Sequence, residues 1–212
     1  DMMDSIQNQD TLVEVSGNLK ALATSLLKIS GDLRLLSSGP DAGLGELRLP
    51  ALQAGSSMMP GKVNPVIPEA VSQAAMRVMA NDSLIAQAVS MGSLELNPFG
   101  PLLADTLLEN LGLLERACRS LAQRCIQDML PDEKRCAAQV RGATATVTAL
   151  VESIGYPAAE GLAMRAATEG KDIATLVVEE GLLDQEAFDQ AVAPERVTRL
   201  GSRPPKKEEG AP

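Results

Sequence analysis

The sequence predicts an all-α protein: a long-helix bundle fragment of residues 1–130 followed by a small helical C-terminal domain over 131–200. Three observations carry this reading. The 212 residues are 45% hydrophobic but only 1% aromatic, so Leu, Ala, Val and Met must fill the interior. That suits packed helices better than a sandwich or barrel rich in aromatic and β-branched side chains. Apolar residues recur three and four apart through several long segments, the period of a helix face. Glycine and proline clusters separate those segments, and both the spacing and the lengths change after Pro131.

Leu12, Val15, Leu19, Leu22, Leu26, Ile29, Leu33 and Leu36 form the seam of the first helix, which Gly39–Pro40 stops. Residues 38–64 read as irregular, because Pro50 and the weak alternation at Leu47–Leu49 give no convincing strand. The second helix is expected to start with Asn64 as cap and Pro65 at its first position. It runs through Val71, Ala75, Val78 and Ile85 to about Met91. A third begins near Pro101, carries Leu103, Leu107, Leu111, Leu114, Cys118, Leu121 and Cys125 on one face, and ends at Met129–Pro131. Shorter helices are expected at 132–153, 157–168, 172–179 and 184–192, with Gly155, Gly170 and Gly181 as breaks. Residues 201–212 read as a disordered tail, since they hold nothing with which to build a core.

A net charge of -9 argues against nucleic acid or an anionic membrane as partner. No apolar run reaches the roughly 18 residues of a membrane span, and the start lacks the basic-then-apolar order of a signal peptide. Cys118, Cys125 and Cys136 are odd in number and lack metal-ligand spacing, so they read as reduced thiols of a cytoplasmic protein. Histidine is absent. That removes the usual neutral-pH base and the commonest transition-metal ligand, and no metal or cofactor is expected.

The chemistry is concentrated in Gly55–Ser56–Ser57–Met58–Met59–Pro60–Gly61–Lys62–Val63–Asn64–Pro65. A serine hydroxyl at 56 or 57 is inert near neutrality unless its alkoxide is stabilised by backbone N–H groups and a nearby cation. Gly55 and Gly61 permit the tight turns that aim such N–H groups. Lys62 is the only positive charge between Arg48 and Arg77, a natural anchor for an anionic substrate. Asn64 adds an oriented amide at the positive end of a helix. Glu69 lies one turn beyond Pro65, where a carboxylate complements the helix dipole or orients a residue from elsewhere. A plain structural reading, with turn serines, a solvated lysine and a capping asparagine, stands beside the functional one.

This eleven-residue pattern resembles the signature Gly-Ser-Ser-x-Met-Pro-x-Lys-x-Asn-Pro of the aspartase/fumarase superfamily. The likeness continues through Asp32–Pro40, Leu44–Glu46, Asn81–Asp82, Glu95–Asn97, Ile154–Tyr156 and Glu180–Leu183, and corresponds to the C-terminal portion of such an enzyme. The resemblance implies a lyase that abstracts a proton beside a carboxylate of a small dicarboxylate or amino-dicarboxylate. It implies Ser56 as base, Lys62 and Asn64 as the groups that hold the carboxylate, and Glu69 as partner of a histidine that this chain lacks. Gly55, Ser57, Pro60 and Gly61 are then the residues that form a closing loop. It further implies a homotetramer with composite active sites, so the chain alone is expected to be inactive.

Within the superfamily, Asn64–Glu69 and the run before Pro40 resemble aspartate ammonia-lyase more than fumarase. Asp41 departs from the arginine usual in both. The alternatives are a fumarate hydratase or related succinate-type lyase, and a non-catalytic helical oligomerisation module.

Overall fold

The computed structural model describes residues 1–39, 41–53, 55, 58–59 and 61–197. The chain splits into two compact units, Asp1–Glu133 and Lys134–Pro212. The tail expected at 201–212 lies outside the described residues.

The first unit is built on three long helices. A short α1 (Met2–Gln7) precedes α2 (Asp10–Leu36), and α3 (Val66–Ser90) and α4 (Gly100–Leu121) follow. Most of the packing of α2 is against α3, and α3 in turn packs on α4. The buried face of α2 is Ser16, Ala23, Leu26, Ser30 and Leu33. The expected seam is therefore only half inward. Leu26 and Leu33 point into the core, whereas Val15, Leu22 and Ile29 are 41%, 43% and 43% exposed. Small side chains at 16, 23 and 30 bring α2 close to α3, and that close approach turns their larger neighbours outward.

The core of this unit lies in two clusters. One gathers Ala23, Leu26, Leu33, Val71, Ala75, Val78, Leu114, Ala117, Leu121 and Cys125, and the other Ile85, Ala88, Leu103 and Leu107. Between them the three helices carry polar side chains. Ser16 Oγ donates to Asp82 Oδ1 at 2.7 Å, and Lys20 Nζ donates to Asp82 Oδ2 at 2.9 Å. Asn81 Nδ2 donates to Asn110 Oδ1 at 2.7 Å and to Glu109 Oε2 at 3.0 Å. Asn97 joins α3 to α4: its Nδ2 donates to the carbonyls of Ala88 and Val89, while its Oδ1 accepts from the Phe99 N–H at 2.9 Å.

Two local expectations are corrected here. Leu47–Arg48 (β1) does form a strand, two residues long and antiparallel to Leu130–Pro131 (β2). Its partner lies so far along the chain that no local alternation could announce it. Asn64 is not the cap of α3: the helix starts at Val66 with Pro65 before it, and the Asn64 amide is used elsewhere. Beyond α4 the chain widens into a π-helical turn, Ala122–Ile126, marked by the Gln127 N–H donating to the Ala122 carbonyl at 3.0 Å.

The second unit comprises short helices: α5 (Glu133–Gly142, which begins at the boundary), a 3-10 turn Thr144–Thr146, α6 (Val147–Ile154), α7 (Tyr156–Glu169), α8 (Ile173–Glu179), α9 (Gln185–Ala191) and α10 (Pro194–Val197). The helix expected at 132–153 is thus two helices, because the chain leaves helical geometry at Ala143. Asp172 and Asp184 cap α8 and α9, accepting from Thr175 N and Ala187 N. Phe188, Leu150, Leu162, Ile173, Leu176 and Val177 are fully buried in a core of the unit's own.

Candidate active-site loop

The Gly55–Pro65 segment lies between β1 and α3, and its base is held shut by two hydrogen bonds. The Gly55 N–H donates to the Lys62 carbonyl at 2.9 Å, and Asn64 Nδ2 donates to the Gly55 carbonyl at 3.2 Å. A Cβ at position 55 would sit 2.4 Å from the Lys62 oxygen and 2.8 Å from its carbon, so only glycine lets the strands of the loop approach this closely. Inside the loop, the Lys62 N–H donates to the Met59 carbonyl at 3.3 Å. Gly61, the third residue of that turn, has φ +78, a left-handed conformation that favours glycine.

The structure therefore brings Gly55, Gly61, Lys62 and Asn64 into one closed turn. The Lys62 side chain is exposed, and Asn64 is half-buried with its amide committed to the loop base. Glu69 sits in the first turn of α3 and is half-buried. Among the described residues its carboxylate has no hydrogen-bonding partner, which leaves it open to a cationic or N–H donor. Ser56, Ser57 and Pro60 lie outside the described residues. Met58 and Met59 project outward at 88% and 52% exposure.

The sequence marked Asn81–Asp82 only as part of the family likeness, and the polar contacts these residues make between the core clusters were not read from it. Burial pushes the Asp82 carboxyl up, but the bonds from Lys20 and Ser16 and the Lys20 charge outweigh it and hold the group below the usual carboxylate range. Bonds from Asn81 and Arg77 likewise hold Glu109 low. Asp82 had a weak signal, a carboxylate with apolar Val78 and Ile85 one turn away on the same helix; the pairing of Asn81 with Asn110 had none short of knowing the helix pairing. Burial pushes the Cys125 thiol up, away from the reactive thiolate form. Among the described residues no group of three or more His, Cys, Asp or Glu side chains is placed to hold a metal ion. No helix among them is long and apolar enough to cross a membrane.

Two sequence families match: one described as Lyase over residues 1–80, and one described as Fumarase C C-terminus over residues 147–199. The chain is 44% identical over 197 residues to a protein named fumarate hydratase class II 1 from Pseudomonas aeruginosa, covering 93% of this chain and 42% of that protein. It is equally 44% identical over 197 residues to a protein named aspartate ammonia-lyase from Pseudomonas fluorescens, covering 93% and 41%. Its fold superposes on a crystal structure titled fumarate lyase:delta crystallin from Brucella melitensis with a TM-score of 0.86 at 41% identity, over 93% of this chain and 43% of that one. The chain thus spans about two fifths of the length of the curated relatives it matches.

Proposed function

Because the chain belongs to the aspartase/fumarase superfamily and corresponds to the C-terminal portion of its members, we propose that the polypeptide carrying it is a lyase that removes ammonia from L-aspartate to give fumarate. The observation that supports this reading is the closed turn at the base of the Gly55–Pro65 loop, with Lys62 exposed on it and Asn64 tied across it.

In the proposed reaction Ser56, as alkoxide, takes the proton from the carbon beside a carboxylate. The electron pair moves into that carboxylate and gives a dianionic aci-carboxylate. The Lys62 ammonium and donors at the loop hold the added charge, a form of stabilisation that strengthens as charge develops. Collapse of the aci-carboxylate forms the carbon–carbon double bond and expels the amine. Closure of the loop over substrate brings the base in and excludes water at the same step. Glu69, with an uncommitted carboxylate, orients a histidine supplied by polypeptide outside this chain, as an acid does in a triad. With no histidine of its own, this chain alone is expected to be inactive.

A water-eliminating reaction on a 2-hydroxy dicarboxylate is the second reading, favoured by the equal identity to proteins of both names. Self-association belongs to the proposal as well. Val15, Leu22 and Ile29 repeat every seven residues along the exposed side of α2, the spacing of a face that packs on another helix. The rates of fumarate release from L-aspartate and L-malate, measured by ultraviolet absorbance on the complete enzyme, separate the two reactions. Ser56→Ala is expected to abolish the faster one without changing the unfolding transition. Ordinary turnover by that variant removes Ser56 from the role, and inactivity of the parent enzyme on both substrates leaves the helical oligomerisation module.

A further inference from the structure

Both stems of the Gly55–Pro65 loop rest on the same piece of the fold, the segment from Ala122 to Asp132 that follows α4. On the entering side, β1 pairs with β2, the Asp132 N–H donates to the Glu46 carbonyl at 2.8 Å, and Arg48 forms an ion pair with Asp132. On the leaving side, Pro65, Val66, Ile67 and Pro68 line a crevice with Leu49, Pro50 and Leu52, floored by Arg124 and Cys125 of the π-helical turn. The crevice volume is about 10 Å³, room for at most about one water. It is a packing seam, too small for a ligand. Cys125 is 1% exposed and belongs to the core cluster against which Leu47, Leu49 and Ile67 pack.

A π-helical turn carries one more residue than the α-helical turn it replaces, and so rotates everything after it about the helix axis. Here that rotation falls one turn before the segment that pairs with β1, and it seats Cys125 beneath the two stems. The larger cleft of the second unit, about 340 Å³ and lined by Arg141, Asp172 and Glu179, has no such arrangement. Its charged groups are already committed, Arg141 to Asp189, Glu179 to Lys171, and Asp172 to the Thr175 N–H.

We infer that the π-helical turn Ala122–Ile126 is the seat that sets the hinge of the Gly55–Pro65 loop, with Cys125 as a positioning residue. The fit of its side chain between the stems fixes how tightly the loop base closes. This rests on the catalytic reading of the loop only for its consequence in turnover; the control of the loop base stands by itself.

The test is hydrogen exchange on the chain, followed on peptides covering residues 51–64 and the middle of α3. In Cys125→Leu the larger side chain wedges the stems apart, and exchange over 51–64 is expected to rise by about ten-fold or more while mid-α3 changes less than about two-fold. Shaving the facing stem in Cys125→Leu/Ile67→Ala is expected to return the loop to within about three-fold of the parent. Should the wedge variant fail to fold, Cys125→Ala is read in its place, with an expected rise of about three-fold at the loop alone. Unchanged exchange over 51–64, or a rise matched in mid-α3, overturns the inference. Leu107→Ala, which thins the other core cluster, is the control and is expected to leave 51–64 no more labile than mid-α3. If the loop loosens in the complete enzyme but kcat and KM hold, the seat stands and the catalytic reading of the loop fails.

Discussion

The Gly55 N–H donates to the Lys62 carbonyl at 2.9 Å, and a Cβ at 55 would meet that same oxygen at 2.4 Å. The close approach is thus both the bond that shuts the loop and the reason for glycine. Gly55→Ala is expected to open the loop base without reaching the helical core. On the proposed catalytic reading, kcat of the polypeptide carrying this chain should fall by about ten-fold or more, while the thermal midpoint moves by no more than about 4 °C. Turnover at the parent rate, with the midpoint unchanged, would show that the closed base is not needed.

Asp82 offers a pH dependence with a definite sign. Its carboxyl is held below the ordinary range in the folded chain, so it contributes stability above the unfolded pKa, near 3.9. That contribution is lost as pH falls through the lower folded value. Asp82→Asn is therefore expected to cost about 1 kcal/mol at pH 7, and the gap between parent and variant should close as pH drops from about 5 to about 2. Urea unfolding at stepped pH measures it. A gap that stays constant across that range means the Lys20 and Ser16 bonds do not depend on the charge.

Asn81 and Asn110 are an unequal pair. Asn81 gives both amide protons to partners, whereas the Asn110 Nδ2 is buried without one, in a residue that is 0% exposed. Asn81→Ala strips a buried acceptor of its donor and is expected to cost about 2–3 kcal/mol. Asn110→Ala deletes a group that is already unsatisfied and should cost less. A double-mutant cycle by chemical denaturation is expected to show a coupling of about 1 kcal/mol. An Asn110→Ala variant weaker than Asn81→Ala contradicts this order.

How much of this was legible follows the range of each interaction. The three long helices announce themselves through Leu26, Leu33, Val78, Ile85, Leu107 and Leu114, because each helix buries its own period. The loop motif was legible as a pattern of unusual residues, and its glycines fall where the backbone needs them. Leu47–Arg48 pairing with Leu130–Pro131 was not legible, since its partner lies at the far end of the unit. Nor was the inward turn of Ser16, Ala23 and Ser30: reading only large apolar residues picks the bulky edge of a face and misses the small residues that let helices approach. The break at Ala143 carries no proline and follows only Gly142, a weak signal in a helical run.

Phe188 tests the second unit. It is fully buried among Leu150, Leu162, Ile173, Leu176 and Val177, the largest side chain in that core. Phe188→Ala removes a ring that the short helices cannot collapse to replace, and is expected to cost about 3–5 kcal/mol. Hydrogen exchange should rise within 147–191 and stay near the parent value in α2 and α3. A uniform rise through both units would mean that they unfold as one.

The exposed side of α2 gives the last prediction. Val15, Leu22 and Ile29 lie on one side of the helix, one residue out of step with the inward Ser16, Ala23 and Ser30. Their heptad spacing places an apolar stripe along the helix, about 100° around its axis from the buried face. An apolar stripe of this length is costly to leave in water, at about 25 cal/mol for each Å² exposed, and is stabilised by a second helix laid along it. Leu22→Glu puts a charge at its centre and replaces none of the buried residues of α2. Sedimentation of the chain is expected to shift toward smaller species by a ten-fold or larger loss of association, about 1.4 kcal/mol or more. The unfolding midpoint extrapolated to low concentration should hold. A parent chain that is already monomeric at about 100 µM, well above the micromolar range of a specific contact, places the stripe outside any self-association of this chain alone.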